Sequence, residues 1–129
     1  MDFNHIRTLL VSIGSAVLAF LAPLADDLYV MLILFGCNAL FGIIADKVEN
    51  KPWDKRKFRT AFIEALLFFC FVFIIYGIGT MKHNANEALL CVSFVSYALI
   101  YYYGTNICRN MMNILPDESL GHRVFAFLY

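Results

Sequence analysis

Residues 66–79 read LLFFCFVFIIYGIG, an uncharged run inside a longer apolar segment that extends from about Thr60 to Thr80. A helix needs about 20 apolar residues to cross the hydrocarbon core of a bilayer. The segment meets that length and carries its charged neighbours near its ends. It therefore predicts a membrane-spanning α-helix.

Three other stretches approach the same length and hydrophobicity. Asp26 and Asp27 separate the first two of them and predict a tight polar turn, so that these two spans would form a helical hairpin. The last could continue as a more polar helix to Leu115, where Pro116 would end it. The predicted fold is all-α, one transmembrane domain over residues 1–129 with about four spans, at about 8–25, 28–45, 60–80 and 88–105.

The composition of the chain supports a membrane protein. Of the 129 residues 61% are hydrophobic and 16% are charged, and the mean hydropathy is +0.70. A soluble domain of this size could not bury so much apolar surface. The formal net charge is zero, which gives no indication of a nucleic-acid-binding surface.

Basic residues are concentrated between the second and third predicted spans, in a loop over residues 46–59 with an expected interfacial Trp53. Lys and Arg accumulate in cytoplasmic loops of membrane proteins. We therefore expect this loop and both termini to be cytoplasmic in a bacterial inner membrane, and the loop to attract anionic lipid. The basic residues are Lys47, Lys51, Lys55, Arg56, Lys57 and Arg59.

The two remaining connections and the C-terminal segment agree with this orientation. The turn at 26–27 contains only acids, and the short polar turn at 81–87 contains one lysine.

The first span is not followed by a small-x-small cleavage pattern, so we expect it to be retained. Residues 116–129 end in an apolar series typical of a segment that lies on the inner membrane face or packs on a neighbouring subunit.

The sequence shows no catalytic motif and no metal-binding pattern. Its four cysteines occur singly, and no histidine has a His or Glu partner at helical spacing. Gly-rich phosphate loops, nucleophile elbows and paired carboxylates are absent. We expect neither an enzyme nor a bound cofactor.

Small residues recur at a four-residue step along the first two spans. Such spacing lets helix backbones approach closely, and an Asn side chain can hydrogen-bond across the contact. These faces are candidate helix-association surfaces, either between spans of one subunit or between subunits of a ring. The residues are Ser12 with Ala16, Ser15 with Ala19, and Asn38 with Gly42.

Several polar residues fall inside the third and fourth spans. Glu64 lies one turn into the third, where it could pair with Lys57 or Arg59 at the headgroup level, or face a pore. Ser93, Ser96 and Asn106 give the fourth span a weakly polar face that could contact water in an assembled pore. The tyrosines near the span ends are more typical of interfacial anchors than of pore lining.

The order of these features resembles the toxin-secretion and phage-lysis holin family, of the holin-4 type. That family places a D-Y-x-x-G-like motif late in a hydrophobic helix before a basic loop and another span. The matching stretch is NALFG, residues 38–42, in which Asn38 replaces the acid. The family's closing Glu-Asn followed by Pro resembles Thr105-Asn106 and Pro116, with Thr105 in place of the acid.

The resemblance implies a bacteriophage holin, a homo-oligomer that forms a pore or lesion in the host inner membrane. Such a lesion would let an endolysin or toxin pass and so cause host cell lysis. Two alternatives share the predicted fold. One is a membrane scaffold that docks a partner through the basic loop without a pore, and the other is a membrane-disrupting effector of antiphage immunity.

Overall fold

The computed structural model describes residues 3–52 and 54–129, and within these ranges every regular element is helical. Three apolar helical segments, Phe3–Val48, Lys55–Met81 and Ala85–Ile114, are long enough to cross a membrane. The predicted all-α membrane fold is therefore confirmed, and Trp53 lies outside the described residues. The α-helices are α1 Phe3–Leu21, α2 Ala25–Val48, α3 Lys55–Met81, α4 Ala85–Ile114 and α5 Leu120–Leu128.

Helices α2 and α3 end in the same way, with one residue in the left-handed conformation. Asn50 has φ 52° and His83 has φ 56°. The Asn50 and Lys51 amides donate to the Lys47 and Asp46 carbonyls, and the equivalent pair of bonds closes α3. This pair of backbone hydrogen bonds satisfies carbonyl groups that the last helical turn leaves without a partner. The two helices consequently end abruptly and reverse direction within short connections.

Both connections are shorter than the sequence indicated. Among the described residues of the loop expected over 46–59, only 49–52 and 54 are non-helical, because α2 continues to Val48 and α3 begins at Lys55. Asp54 fixes that beginning, since its Oδ1 accepts a hydrogen bond from the Arg56 amide at 2.8 Å. The turn expected over 81–87 is likewise reduced to residues 82–84.

The described chain does not form the helical hairpin predicted for the first two spans. Asp26 and Asp27 lie in the first turn of α2, where acids are favoured by the helix dipole. A single 3-10 turn, Ala22–Leu24, joins α1 to α2, and the backbone of Leu21, Leu24 and Ala25 stays in the right-handed helical region. Pro23 is tolerated there because an amide at the start of a helical segment needs no partner. The chain therefore continues from α1 into α2 without reversing.

Helix α4 is the shared packing partner of the bundle and contacts α2, α3 and α5. Its buried positions are Ala88, Val92, Ser96, Leu99 and Tyr103, separated by three or four residues. Leu24 and Met31 are buried seven residues apart on the facing side. This spacing is that of helices packed side by side with interdigitating side chains.

The outer surface of the bundle is apolar. Large side chains such as Leu18 (70% exposed) and Phe94 (76%) point away from the protein interior. The accessible surface is 9517 Å², against about 6,900 Å² for a globular monomer of this mass. Exposed apolar area on this scale is stable only against lipid or another apolar surface.

Candidate functional site

A polar cavity of about 250 Å³ lies between α2, α4 and the first turns of α3. It is the place where side chains able to hydrogen-bond converge between the helices. Three asparagines, two basic residues and two acids share it with apolar residues and a glycine. Its lining consists of Asn38, Ala39, Gly42, Ile43, Asp46, Asp54, Lys57, Phe58, Ala61, Asn106, Arg109 and Asn110.

The packing of α2 against α4 brings the asparagines together. Asn38 follows Met31 by seven residues, and Asn106 follows Leu99 by seven, so each continues the buried series of its own helix. Gly42 makes room opposite Asn110, whose Nδ2 lies 3.5 Å from where a Cβ on Gly42 would be. The seam between α2 and α4 is thus apolar along its first part and polar where it reaches the basic connection.

The charges around the cavity are unequally partnered. The Lys57 ammonium donates to Asp46 Oδ1 at 3.3 Å, which joins α3 to α2. The Arg109 guanidinium donates to Asn106 Oδ1 at 3.2 Å. Across residues 3–52 and 54–129, no carboxylate lies within 4.0 Å of Arg109. Arg109 therefore brings to the cavity a cation that no carboxylate contacts directly.

Glu64 occupies a different position from the amides. It is half-buried on α3 and lines a shallow groove with Asp54, Arg56, Lys57 and Thr60. The groove is open to the outside, and no ion pair to Glu64 is formed among the described residues. Glu64 lies near the basic end of α3, and the expected pairing with Lys57 or Arg59 is not formed among the described residues.

Two polar groups of α4 are buried closer to its N-terminus than the cavity residues Asn106 and Asn110. Ser96 is 5% exposed and Tyr103 is 3% exposed, and within the described chain neither hydroxyl has a hydrogen-bond partner. Ser93 is half-buried on the same helix. These residues face the packed interior of the single chain, so only a rearrangement of the helices would bring them to water.

The small-residue face of α1 makes no comparable contact. Ser12, Ser15, Ala16 and Ala19 are all exposed, and none of the 19 residues of α1 is buried. The end of α1 meets α3 through Phe20, whose ring lies 5.2 Å from that of Tyr76. The structure therefore places the Asn38 and Gly42 face within the subunit and leaves the α1 face without a partner in the described chain.

The predicted basic residues are spread over the end of α2, the connection and the first turns of α3. Lys47, Lys55, Arg56 and Arg59 are exposed. Lys51 pairs with Glu49, whose carboxylate raises the pKa of the Lys51 ammonium by hydrogen bonding and by charge. Together they give this end of the bundle an exposed cationic surface.

Among the polar members of the cavity, we did not predict Asp46, Asp54, Arg109 and Asn110 as site residues. Asn106 and Asn110 are four residues apart and therefore share a helix face. That spacing, extended from the buried positions of α4, is the signal that could have identified Asn110. Within the described residues no group of His, Cys, Asp or Glu could hold a metal ion.

Comparison with known proteins gives one match. The sequence model of the bacteriophage holin family matches residues 15–116, which include the cavity, the polar positions of α4 and the last seven residues of α1. No match was found among curated proteins or among solved structures.

Proposed function

The chain belongs to the bacteriophage holin family, and on that premise we propose that it oligomerises in the bacterial inner membrane and opens a lesion there. The lesion would dissipate the membrane potential and let an endolysin or a toxin reach the cell wall. The protein acts by assembly, and its chemistry requires no bond to be made or broken. The exposed apolar surface of the helices and the family match over residues 15–116 support this proposal.

The observation that carries the proposal is the state of α1. An apolar helix with a small-residue face and no buried residue has most of its surface available to lipid or to other subunits, apart from its end at Phe20 and Leu21. Because lipid is as apolar as the side chains, helices exchange lipid contacts for one another at small cost, and close packing of small residues favours the exchange. We assign subunit association to the face of Ser12, Ser15, Ala16 and Ala19.

The pore-facing surface is proposed to come from α4. Ser93, Ser96 and Asn106 lie on the helix that packs in the centre of the bundle. Assembly that loosens the contact between α2 and α4 would expose these residues and Asn38 to water, and Glu64 would border the same path. Polar groups in such a position favour a hydrated path across the hydrocarbon.

We propose that the basic residues and both termini face the cytoplasm. Six Lys and Arg residues cluster around the 49–54 connection, where anionic lipid and the positive-inside tendency both favour the inner side. The amphipathic helix α5 would then lie on the inner membrane face.

The cytoplasmic N-terminus requires a change at Ala22–Leu24 when the chain enters lipid. The 46 residues of Phe3–Val48 have a helical length of about 69 Å, more than twice the hydrocarbon thickness of about 30 Å. A straight arrangement would leave one apolar half outside the lipid. The 3-10 turn containing Pro23 is the point at which the chain can bend.

The proposal is tested by expressing the chain in bacteria that carry a potential-sensitive dye, with and without a coexpressed endolysin. We expect depolarisation and growth arrest from the chain alone, and lysis only when the endolysin is present. Ala16→Leu alters the association face. Val17→Leu, on the other side of α1, is its matched control. Normal potential and growth at high membrane levels of the wild-type chain would refute the holin function and favour a membrane scaffold.

A further inference from the structure

We propose that the cavity between α2, α3 and α4 binds the phosphate-bearing headgroup of an anionic phospholipid, with the Arg109 guanidinium as the principal phosphate ligand. This inference rests on the cytoplasmic placement proposed above and does not require lysis. It concerns a defined site between helices, distinct from the diffuse attraction of lipid to the exposed basic residues.

The first support is that Arg109 has no ion-pair partner in the cavity, although two acids and two bases line it. Asp46 is paired with Lys57, and the Asp54 carboxylate accepts from the Arg56 amide as the cap of α3. Arg109 has no carboxylate within 4.0 Å in the described ranges and bonds only to a neutral amide oxygen on its own helix. A guanidinium offers two parallel N–H donors that match the oxygens of a phosphate.

The second support is the set of neutral donors around Arg109. The side-chain amides of Asn38, Asn106 and Asn110 line the same space. Each carries an NH₂ group with two donors and a carbonyl acceptor. Such groups can donate to the remaining phosphate oxygens or bond to the hydroxyls of a glycerol headgroup, which a choline headgroup does not offer.

The third support is the size and position of the cavity. Its volume of about 250 Å³ is about eight times the share of one molecule in liquid water. Ile43, Phe58 and Ala61 form its apolar wall, along which acyl chains can leave towards the lipid. The site lies where the apolar seam gives way to the basic connection, which is the depth of the headgroups.

The experiment compares lipids on the intact chain by native mass spectrometry after extraction in mild detergent. Phosphatidylglycerol and phosphatidylcholine with the same acyl chains are added separately. We expect one phosphatidylglycerol per chain to be retained in preference to phosphatidylcholine. Arg109→Gln should weaken this retention by about tenfold, the loss expected for one charge-assisted contact.

Two further variants keep the test decisive. Arg59→Gln removes the same charge near the same end of α3 but outside the cavity, and should leave retention unchanged within about twofold. Gly42→Leu keeps every charge and fills the cavity beside Asn110, so it should lower retention as Arg109→Gln does. Circular dichroism of each variant checks that its helical content is that of the wild type.

The site is refuted if the filled variant and Arg109→Gln both retain phosphatidylglycerol as the wild type does, or if Arg59→Gln loses as much. Inorganic phosphate added in excess distinguishes a free anion from a lipid. No displacement by phosphate supports the lipid, whereas displacement by phosphate alone overturns the lipid assignment. Because the assay measures binding in detergent, it can succeed where the depolarisation test fails.

Discussion

The Lys57 ammonium lies 3.3 Å from Asp46 Oδ1 and links the first turns of α3 to the last turn of α2. Apart from this pair, α2 and α3 share few contacts, because both pack mainly on α4. The ion pair therefore closes the 49–54 connection and borders the cavity at its basic end.

This pair should contribute little to stability. The Lys57 side chain is 62% exposed, and exposed ion pairs contribute about 0.2–1 kcal/mol. A double-mutant cycle with Asp46→Asn and Lys57→Gln, measured by unfolding in mixed detergent, should give a coupling in that range. A coupling above about 2 kcal/mol would show that the pair is shielded from water.

Substitution on the small-residue face of α1 should act on assembly and leave the fold of the subunit intact. Ala16 is exposed, so a larger side chain at this position has room in the described subunit. Ala16→Leu should weaken association in vesicles by about tenfold, corresponding to about 1–2 kcal/mol of lost packing. Energy transfer between labelled chains measures this association. Val17→Leu, on the other side of α1, should associate as the wild type, and equal effects of the two would disprove the assigned face.

Removal of the Tyr103 hydroxyl should stabilise the subunit. The oxygen is buried and has no hydrogen-bond partner among the described residues. An unsatisfied buried polar group costs about 1–3 kcal/mol, so Tyr103→Phe should raise the free energy of unfolding by about 1 kcal/mol. Tyr101→Phe is the control, because the Tyr101 side chain is 77% exposed. A loss of stability in Tyr103→Phe would show that this hydroxyl is hydrogen-bonded in the membrane.

Glycine at the end of α3 should also stabilise the fold. His83 has φ 56°, a conformation that costs a residue with a Cβ about 1–2 kcal/mol. His83→Gly should raise the free energy of unfolding by about 0.5–1 kcal/mol, since part of the relief is offset by the greater freedom of unfolded glycine. His83→Ala keeps the Cβ and should show no gain. Equal stabilities of the two variants would mean that the backbone strain is not what matters at this position.

Much of the fold could be predicted from hydropathy and charge. The extension of the last span to Leu115 is confirmed, with Leu115 as the cap of α4. The hairpin predicted for the first two spans is not formed in the described chain. Hydropathy reports the length of an apolar segment and not the direction in which the chain runs. Asp26 and Asp27 suit a polar turn and equally suit the first turn of a helix, and the structure has the second.

The cavity was only partly visible in the sequence. Asn38, Gly42 and Asn106 stood out as polar or small residues in apolar surroundings. Arg109 and Asn110 lay in the more polar continuation expected for the last span and were not singled out. Their convergence depends on the seven-residue register between α2 and α4, which becomes evident only when the buried positions of both helices are known.

The most direct test of membrane lesion formation uses the purified chain in sealed vesicles that hold a potassium diffusion potential. We predict that the potential collapses once the protein is added above a threshold density, and that Ala16→Leu raises this threshold while Val17→Leu does not. A potential that persists at protein densities where the chains are fully inserted and associated would contradict it.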